Sequence, residues 1–142
     1  ALPGDDDDSA LPGDDDDSAS GVPALTWTEV YGIVQGCGCH SGATHSTGFA
    51  FAGDSMTAYA VLVDVPAFET ATTSGIDRVE PGSSEDSYLM HKLDGTHVVG
   101  LLSDGATAVA GIGSQMPLSG TPLSQEQRDG IRAWIDAGAP NN

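Results

Sequence analysis

Apolar residues recur at helical spacing in four stretches of the chain, and polar residues able to cap a helix stand before each one. In the first stretch, Val30, Ile33 and Val34 fall on one face. The tetrapeptide TWTE at 26–29 precedes them and fits a capping box, in which residues one and four exchange hydrogen bonds. This pattern predicts a helix of about ten residues that ends at Gly36.

The second stretch reads SMTAYAVLVD and can be capped by Asp54, which precedes it, or by its first residue, Ser55. We expect this helix to end near Val65-Pro66, because proline cannot continue a helix. Four of its residues fall on one stripe and predict the buried face: Met56, Tyr59, Ala60 and Val63.

The third stretch begins after a Pro-Gly turn at 81–82, where Ser84 precedes a short helix through Leu93. Its buried side is predicted to be Tyr88, Leu89 and Leu93. A fourth helix is the most regular of the set. Its pattern consists of a capping box (Ser124 with Gln127), an apolar face (Ile131, Trp134, Ile135) and a stop (Gly138, Pro140).

Between the third and fourth helices, residues 95–117 contain five glycines and no regular period. We expect a long irregular loop, and loops of that length in a compact domain are usually functional. The predicted fold class is therefore all-α, with about four short helices and long glycine-rich connections. Such a domain buries little apolar area for its length, so a cofactor or another staple is expected.

The N-terminal residues 1–19 are two copies of the nonapeptide ALPGDDDDS and the start of a third. We divide the chain into an acidic tail at 1–21 and a folded domain at 22–142. The whole chain has a formal net charge of −17. Such a surface repels nucleic acid, and no basic patch offsets it. A membrane-spanning segment is not expected either, because no run of about 18 apolar residues exists.

The acidic repeats resemble the linkers that tether exported bacterial proteins, often lipoproteins, to the cell surface. The chain has no initiator Met and begins inside a repeat, so we expect a processed protein or part of a longer one, in which any signal or lipid-bearing cysteine would lie upstream. The predicted location is the periplasm, the cell surface or the extracellular space. Carboxylates are hard ligands that attract Ca²⁺. We expect such cations to lie between the acidic repeats of neighbouring subunits, and we therefore expect self-association into an oligomer or filament. The candidate ligands are Asp5, Asp6, Asp7, Asp8, Asp14, Asp15, Asp16 and Asp17.

Both cysteines of the chain lie in the sequence GCGCHSG at 36–42, directly before a histidine. Two cysteines one residue apart make a poor disulfide, because the ring is strained and cross-links almost no chain. From Trp27 to Pro140 the order of motifs resembles a small bacterial c-type cytochrome domain. The motifs are the N-terminal helix running into CGCH, then RVEPGSSEDSYLMHKL, GSQMPLSGTPLS and IRAWIDAGAP.

The resemblance implies one covalently bound haem c. Cys37 and Cys39 would bond its vinyl groups, His40 would be the proximal iron ligand, and Met116, before Pro117, the distal one. It also implies that the first and last helices cross at the haem edge, with Ile131 and Trp134 against Tyr31 and Val34. His97 lies in the same loop as Met116 and is an alternative distal ligand.

One residue separates the cysteines here, where the family has two. Gly38 alone must bridge the two vinyl groups, which requires a backbone conformation that other residues resist. The alternatives are a domain that has kept the fold and lost the haem, and a zinc site formed by Cys37, Cys39, His40 and His45.

The remaining histidine, methionine and acidic residues are expected to have structural or surface roles. We expect His91 to be a surface or satisfied histidine, and Met56 and Met90 to fill the core. Asp54, Asp64 and the group Glu80, Glu85 and Asp86 are expected to form a solvated surface.

No nucleophile with a base and no acid–base pair stands out, so we do not expect an enzyme. The resemblance implies an electron carrier with a redox partner protein. The alternative function is a haem-free structural subunit of an extracellular filament.

Overall fold

A computed structural model describes residues 21–38, 40, 42, 49–51, 53–67, 76–97, 114–118 and 120–142. Within this part of the chain, all regular secondary structure is helical, with three isolated β-bridges and no strand. The predicted all-α class is therefore confirmed for the described residues. The helices are α1 (Trp27–Gly36), α2 (Ser55–Leu62), α3 (Tyr88–Asp94) and α4 (Gln125–Asp136).

Helix α1 has the predicted limits and the predicted capping box. The Thr26 hydroxyl accepts a hydrogen bond from the amide of Glu29, and the Glu29 carboxylate accepts one from the amide of Thr26. The last residue of the chain satisfies two further amides of the first turn. Asn142 accepts from the Trp27 amide through Oδ1 at 2.9 Å and from the Thr28 amide through its backbone carbonyl at 3.3 Å.

Helix α2 is capped by Asp54 as predicted, but it ends at Leu62, earlier than the sequence suggested. Val63 is already extended and forms a parallel β-bridge with Val79, so pairing with this distant segment takes over from the helix. The predicted stripe is wrong in part: Met56 and Ala60 are exposed, whereas Val63 is buried and Tyr59 packs against the core. Within α2 itself the buried residues are Ala58 and Leu62. Met56 is not core filler, since 74% of it is exposed.

Helix α3 begins at Tyr88, with Ser87 and not Ser84 at its N-cap position. The Ser87 hydroxyl does not cap the helix; it donates to the Ser83 carbonyl and accepts from the Glu80 amide. These bonds tie α3 to the preceding turn. The predicted buried side, Tyr88, Leu89 and Leu93, is confirmed, and the neighbouring residues Met90, His91 and Lys92 are buried as well.

Helix α4 agrees with its prediction in the capping box of Ser124 and Gln127 and in its buried face of Ile131, Trp134 and Ile135. The main core forms where this face meets α1. The indole rings of Trp134 and Trp27 stack with their centroids 5.6 Å apart. Tyr31 and Val34, which were expected to face Trp134, are partly buried at the edge of the same cluster.

The segment before α1 also packs on α4. The Leu25 amide donates to the Gly130 carbonyl at 3.3 Å, and a Cβ on Gly130 would lie only 2.8 Å from Leu25 Cγ. A glycine in the middle of α4 therefore allows Leu25 to approach the helix backbone closely.

None of the helices in the described part of the chain is both long and apolar enough to cross a bilayer. Residues 1–20 and 98–113 lie outside the described residues, and with them the acidic repeats and most of the predicted long loop.

Candidate functional site

His40 is half-buried and is held by the backbone of the segment that follows it. Its Nδ1 lies 2.7 Å from the carbonyl oxygen of Phe49, and its own carbonyl accepts from the Phe51 amide at 2.7 Å. A carbonyl can only accept, so Nδ1 carries the proton. In the neutral ring the lone pair is then on Nε2, which is the state that a histidine needs to bind a metal.

Aromatic rings surround His40. The ring centroids of His40 and Phe49 are 4.8 Å apart, and those of His40 and Phe51 are 6.3 Å apart with the rings nearly perpendicular. The guanidinium of Arg78 lies over the Phe49 ring, 5.3 Å from its centroid. This packing restricts the orientation of the imidazole. The sequence predicted no role for Phe49 or Phe51. The acceptor of the His40 hydrogen bond is a backbone carbonyl, which every residue type has.

Cys37 is the half-buried residue that follows α1, and its Sγ lies 3.4 Å from the Ile33 carbonyl, one turn earlier. Gly38 has φ +72°, in the left-handed region, and its open surroundings leave space for a side chain. The positive φ agrees with the expectation that this position needs a conformation other residues resist. Cys39 and His45 lie outside the described residues, so the second thioether and the zinc alternative stay predictions.

A cleft of about 690 Å³ lies along α1 and ends at Cys37. Its volume is within the range of roughly 300–1,000 Å³ that is typical of small-molecule sites. Four lining residues come from α1, one follows its C-terminal end and one precedes its N-terminal end. Two more come from the segment 117–121, one precedes α4 and one lies in its first turn. The lining residues are Leu25, Glu29, Gly32, Ile33, Gly36, Cys37, Pro117, Thr121, Leu123 and Gln127.

Two of the lining residues are glycines one turn apart on α1. A Cβ built on Gly32 or Gly36 would meet no atom within 4 Å, and neither residue has a positive φ. Neither the backbone conformation nor the protein packing therefore requires glycine here, although a glycine inside a helix costs about 1 kcal/mol relative to alanine. The two glycines leave a flat strip of backbone on the wall of the cleft. The spacing of four residues between these glycines is the feature of the sequence that indicates a bare strip on one face of α1.

Met116 is partly buried against the main core, and its amide donates to the Lys92 carbonyl at 2.9 Å. The next residue, Pro117, lines the cleft opposite α1, and the peptide bond between the two is cis. The structure thus brings the predicted attachment residue Cys37 and the predicted distal segment to one cleft. His40 is not among the lining residues and lies against Phe49 and Phe51 instead.

The other histidines of the described residues are buried. Both ring nitrogens of His91 are hydrogen-bonded, Nδ1 to the Thr96 hydroxyl and Nε2 to the Glu85 carbonyl, which confirms the reading of a satisfied histidine. His97 is only 6% exposed. The described residues contain no cluster of three or more His, Cys, Asp or Glu side chains that could hold a metal ion.

The carboxylate of Glu29 is the charged group on the cleft lining. Hydrogen bonds from the Thr26 amide and, second, from the Thr26 hydroxyl hold the pKa of Glu29 below its ordinary value. The carboxylate therefore stays ionised at neutral pH while it caps α1. Elsewhere, burial and then the charge of Asp77 raise the pKa of Glu80, so Glu80 is not simply part of a solvated surface as predicted.

Comparison of the chain with protein-family models, with curated proteins and with solved structures gave no match.

Proposed function

We propose that this chain is an electron-transfer protein that carries one covalently bound haem c, as small bacterial c-type cytochromes do. The observation that carries the proposal is the cleft, which joins Cys37 at the end of α1 to Pro117, the residue after Met116. These two residues are far apart in the sequence. Their meeting at one cleft supports attachment of a haem at Cys37, with the distal ligand supplied by the segment of Met116.

The described residues fit such a group in three further respects. The flat strip formed by Gly32 and Gly36 allows a planar ring to lie close to the α1 backbone. The tautomer of His40 leaves the lone pair on Nε2, and Gly38 has the unusual φ that a one-residue bridge between two attachment points is expected to need. Leu25, Ile33 and Leu123 supply apolar side chains to the wall of the cleft.

In this proposal Cys37 and Cys39 hold the haem through thioether bonds, His40 is the proximal ligand and Met116 the distal ligand. The bound haem supplies one-electron chemistry, because its iron changes between the ferric and ferrous states. Ligation by His40 and Met116 would raise the reduction potential of the haem. Pro117 restricts the backbone of Met116, which lowers the entropy lost when the thioether is placed.

The proposed carrier is exported, acts outside the cytoplasm with a redox partner protein, and assembles through its acidic tail with Ca²⁺ between the aspartates. The alternative is a haem-free structural subunit of an extracellular filament. One observation favours that alternative: the main core packs Trp27 on Trp134 through the side chains of α1 and α4 themselves. Side-chain packing between α1 and α4 therefore contributes to the fold independently of any group in the cleft.

Mass spectrometry of the peptide 36–42, together with a pyridine haemochrome spectrum, tests the proposal directly. A haem-sized addition on Cys37 and Cys39 supports the carrier. Two unmodified thiols would falsify it and leave the structural subunit. Replacement of His40 by Ala should prevent maturation, because the iron loses its proximal ligand.

The distal ligand is tested separately by Met116→Ala. The variant should keep its covalent haem and have a lower reduction potential, since a weaker or harder ligand takes the sixth position. Met56→Ala is the matched control, because Met56 is 74% exposed, and it should leave the potential unchanged. A drop in potential for His97→Ala with no change for Met116→Ala would transfer the distal role to His97.

A further inference from the structure

The two helices that border the cleft begin with the same pattern of residues. In LTWTE at 25–29 and in LSQEQ at 123–127, a leucine precedes the hydroxyl residue that caps the helix, and a glutamate or glutamine stands three residues after the cap. The leucine and the last residue of each pattern all line the cleft. We call these four residues the cap end of the cleft: Leu25, Glu29, Leu123 and Gln127.

Helix capping occupies only one side-chain atom of Glu29 and one of Gln127. The Thr26 amide and hydroxyl both donate to Oε2 of Glu29, at 2.8 and 2.9 Å. The Ser124 amide donates to Oε1 of Gln127 at 3.1 Å. Within the described part of the chain, Oε1 of Glu29 and Nε2 of Gln127 form no hydrogen bond. Capping therefore orients both side chains and leaves one acceptor and one donor for a ligand.

The cap end carries a negative charge. Glu29 is ionised at neutral pH, because the hydrogen bonds from the amide and then the hydroxyl of Thr26 keep its pKa below the ordinary value. The ten residues that line the cleft include no lysine, arginine or histidine, so the cleft attracts a cation. An anion finds no free amide in the first turn of α1, since Asn142 and the Thr26 hydroxyl accept from the amides of residues 27–29.

The cap end also has apolar surface beside its polar atoms. Leu25 and Leu123 are only partly buried against the main core. A Cβ on Gly130, one turn after Gln127, would lie 2.8 Å from Leu25 Cγ, which places this leucine beside the first turns of α4. A ligand that reaches the polar atoms of the cap end can therefore bury apolar area against the two leucines, and this burial favours binding.

The cap end lies about two turns of α1 away from the predicted attachment residue. Seven residues, and thus about 10 Å along the helix, separate Glu29 from Gly36, which directly precedes Cys37. A small ligand at the cap end therefore leaves the Cys37 end of the cleft to the haem of the proposed function.

We propose that the cap end of the cleft binds a small organic ammonium ion whose apolar body carries a carbonyl group. The ammonium group donates to Oε1 of Glu29, and the carbonyl accepts from Nε2 of Gln127. The apolar body packs between Leu25 and Leu123, where its removal from water contributes to binding. The inference goes beyond the proposed function and does not depend on a bound haem.

NMR titration of the wild-type chain with para-(aminomethyl)benzamide tests the proposal, because this compound has an ammonium group, an aromatic body and a carboxamide. We expect shifts in the backbone amide signals of the four cap-end residues and a roughly millimolar dissociation constant for a ligand of this size. Three related compounds each change one feature: para-(hydroxymethyl)benzamide lacks the charge, benzylamine lacks the carbonyl, and para-carbamoylbenzoate reverses the charge. The first two should bind about 2- to 5-fold more weakly, and the benzoate should not bind.

Glu29→Gln removes the charge of the cap end and keeps the helix cap, because glutamine also completes a capping box. This variant should bind the amine about 2- to 5-fold more weakly and the neutral alcohol as the wild type does. The matched control is Glu126→Gln, which removes an exposed carboxylate from the first turn of α4 and should leave the dissociation constant unchanged, because Glu126 does not line the cleft.

Gln127→Glu replaces the donor of the cap end by a second carboxylate and likewise keeps the helix cap. Benzylamine should then bind more tightly than it does to the wild type. The advantage of para-(aminomethyl)benzamide over benzylamine should disappear, because its carbonyl no longer accepts a hydrogen bond from residue 127.

Equal binding of the amine and the alcohol by the wild type would overturn the proposed site, and so would the absence of shifts with every compound. A Glu126→Gln protein that loses as much affinity as Glu29→Gln would overturn it too, since the overall negative charge would then account for binding. Absence of haem from the wild-type mass overturns the proposed function and leaves the cap-end site unaffected.

Discussion

Replacing Gly32 by alanine should stabilise the haem-free protein and hinder haem attachment at the same time. The residue lies in the interior of α1 with ordinary helical φ, and the space around its would-be Cβ contains no atom within 4 Å. A methyl group there meets no steric penalty. It also projects into the cleft, where the proposal places a planar ring against the bare backbone.

The stability gain follows from helix propensity and is about 0.8–1 kcal/mol. For a domain of this size the gain corresponds to a rise in Tm of roughly 3–4 °C. Gly130→Ala is the matched control in α4, with the same propensity gain but a Cβ 2.8 Å from Leu25 Cγ. Overpacking costs about 1–3 kcal/mol, so this variant should be between neutral and about 2 kcal/mol less stable.

Urea unfolding of the haem-free proteins measures the free energies of unfolding of the Gly32→Ala and Gly130→Ala variants. Haem attachment is measured as the fraction of chains that carry the haem mass after maturation, with Gly32→Leu as the stronger obstruction and Gln35→Leu as its control. Gln35 is exposed on α1 and does not line the cleft. If Gly32→Leu matures as fully as Gln35→Leu, the strip on α1 does not hold the ring. If Gly32→Ala is not more stable than the wild type, a Cβ at residue 32 must meet other atoms, contrary to the open space around this residue.

Three further outcomes are expected. Asn142→Ala removes the acceptor for the Trp27 amide and should lower the free energy of unfolding by about 0.5–1.5 kcal/mol; Asn141→Ala, as control, should not. Burial and the charge of Asp77 raise the pKa of Glu80 above its ordinary 4.5, so its ionised form destabilises the fold above the raised pKa. Glu80→Gln should therefore stabilise the protein at pH 7, and a gain that persists well below pH 4.5 would contradict this cause. Deletion of residues 1–19 should leave the thermal unfolding of the domain unchanged and weaken assembly, and a chelator should have the same effect on assembly. Normal assembly after deletion would rule out the tail as the contact.

Local hydrogen bonding allowed the sequence to predict both ends of the described fold. The capping boxes at Thr26 and Ser124 each join residues three positions apart, so the short sequence contains both partners. The buried face of α4 was also predictable, because its apolar residues contrast sharply with its polar ones. The stretch SMTAYAVL in α2 has no such contrast, and its apolar residues allow several faces. Packing against the rest of the core buried Ala58 and Leu62 and left Met56 outside.

In the candidate site, too, some features were predicted from the sequence and others depend on contacts that only the tertiary structure shows. The resemblance of the CGCH stretch and of the later motifs to a c-type cytochrome domain implied an attachment sequence at Cys37, Cys39 and His40, with Met116 as the distal ligand. Only the tertiary structure brought Leu25, α1, Pro117 and the start of α4 around one cleft. It also decided that the Phe49 carbonyl sets the tautomer of His40 and that α3 holds the Met116 segment. These contacts join segments that are distant in the chain and use backbone atoms common to all residues, so the amino-acid sequence carries no local signal for them.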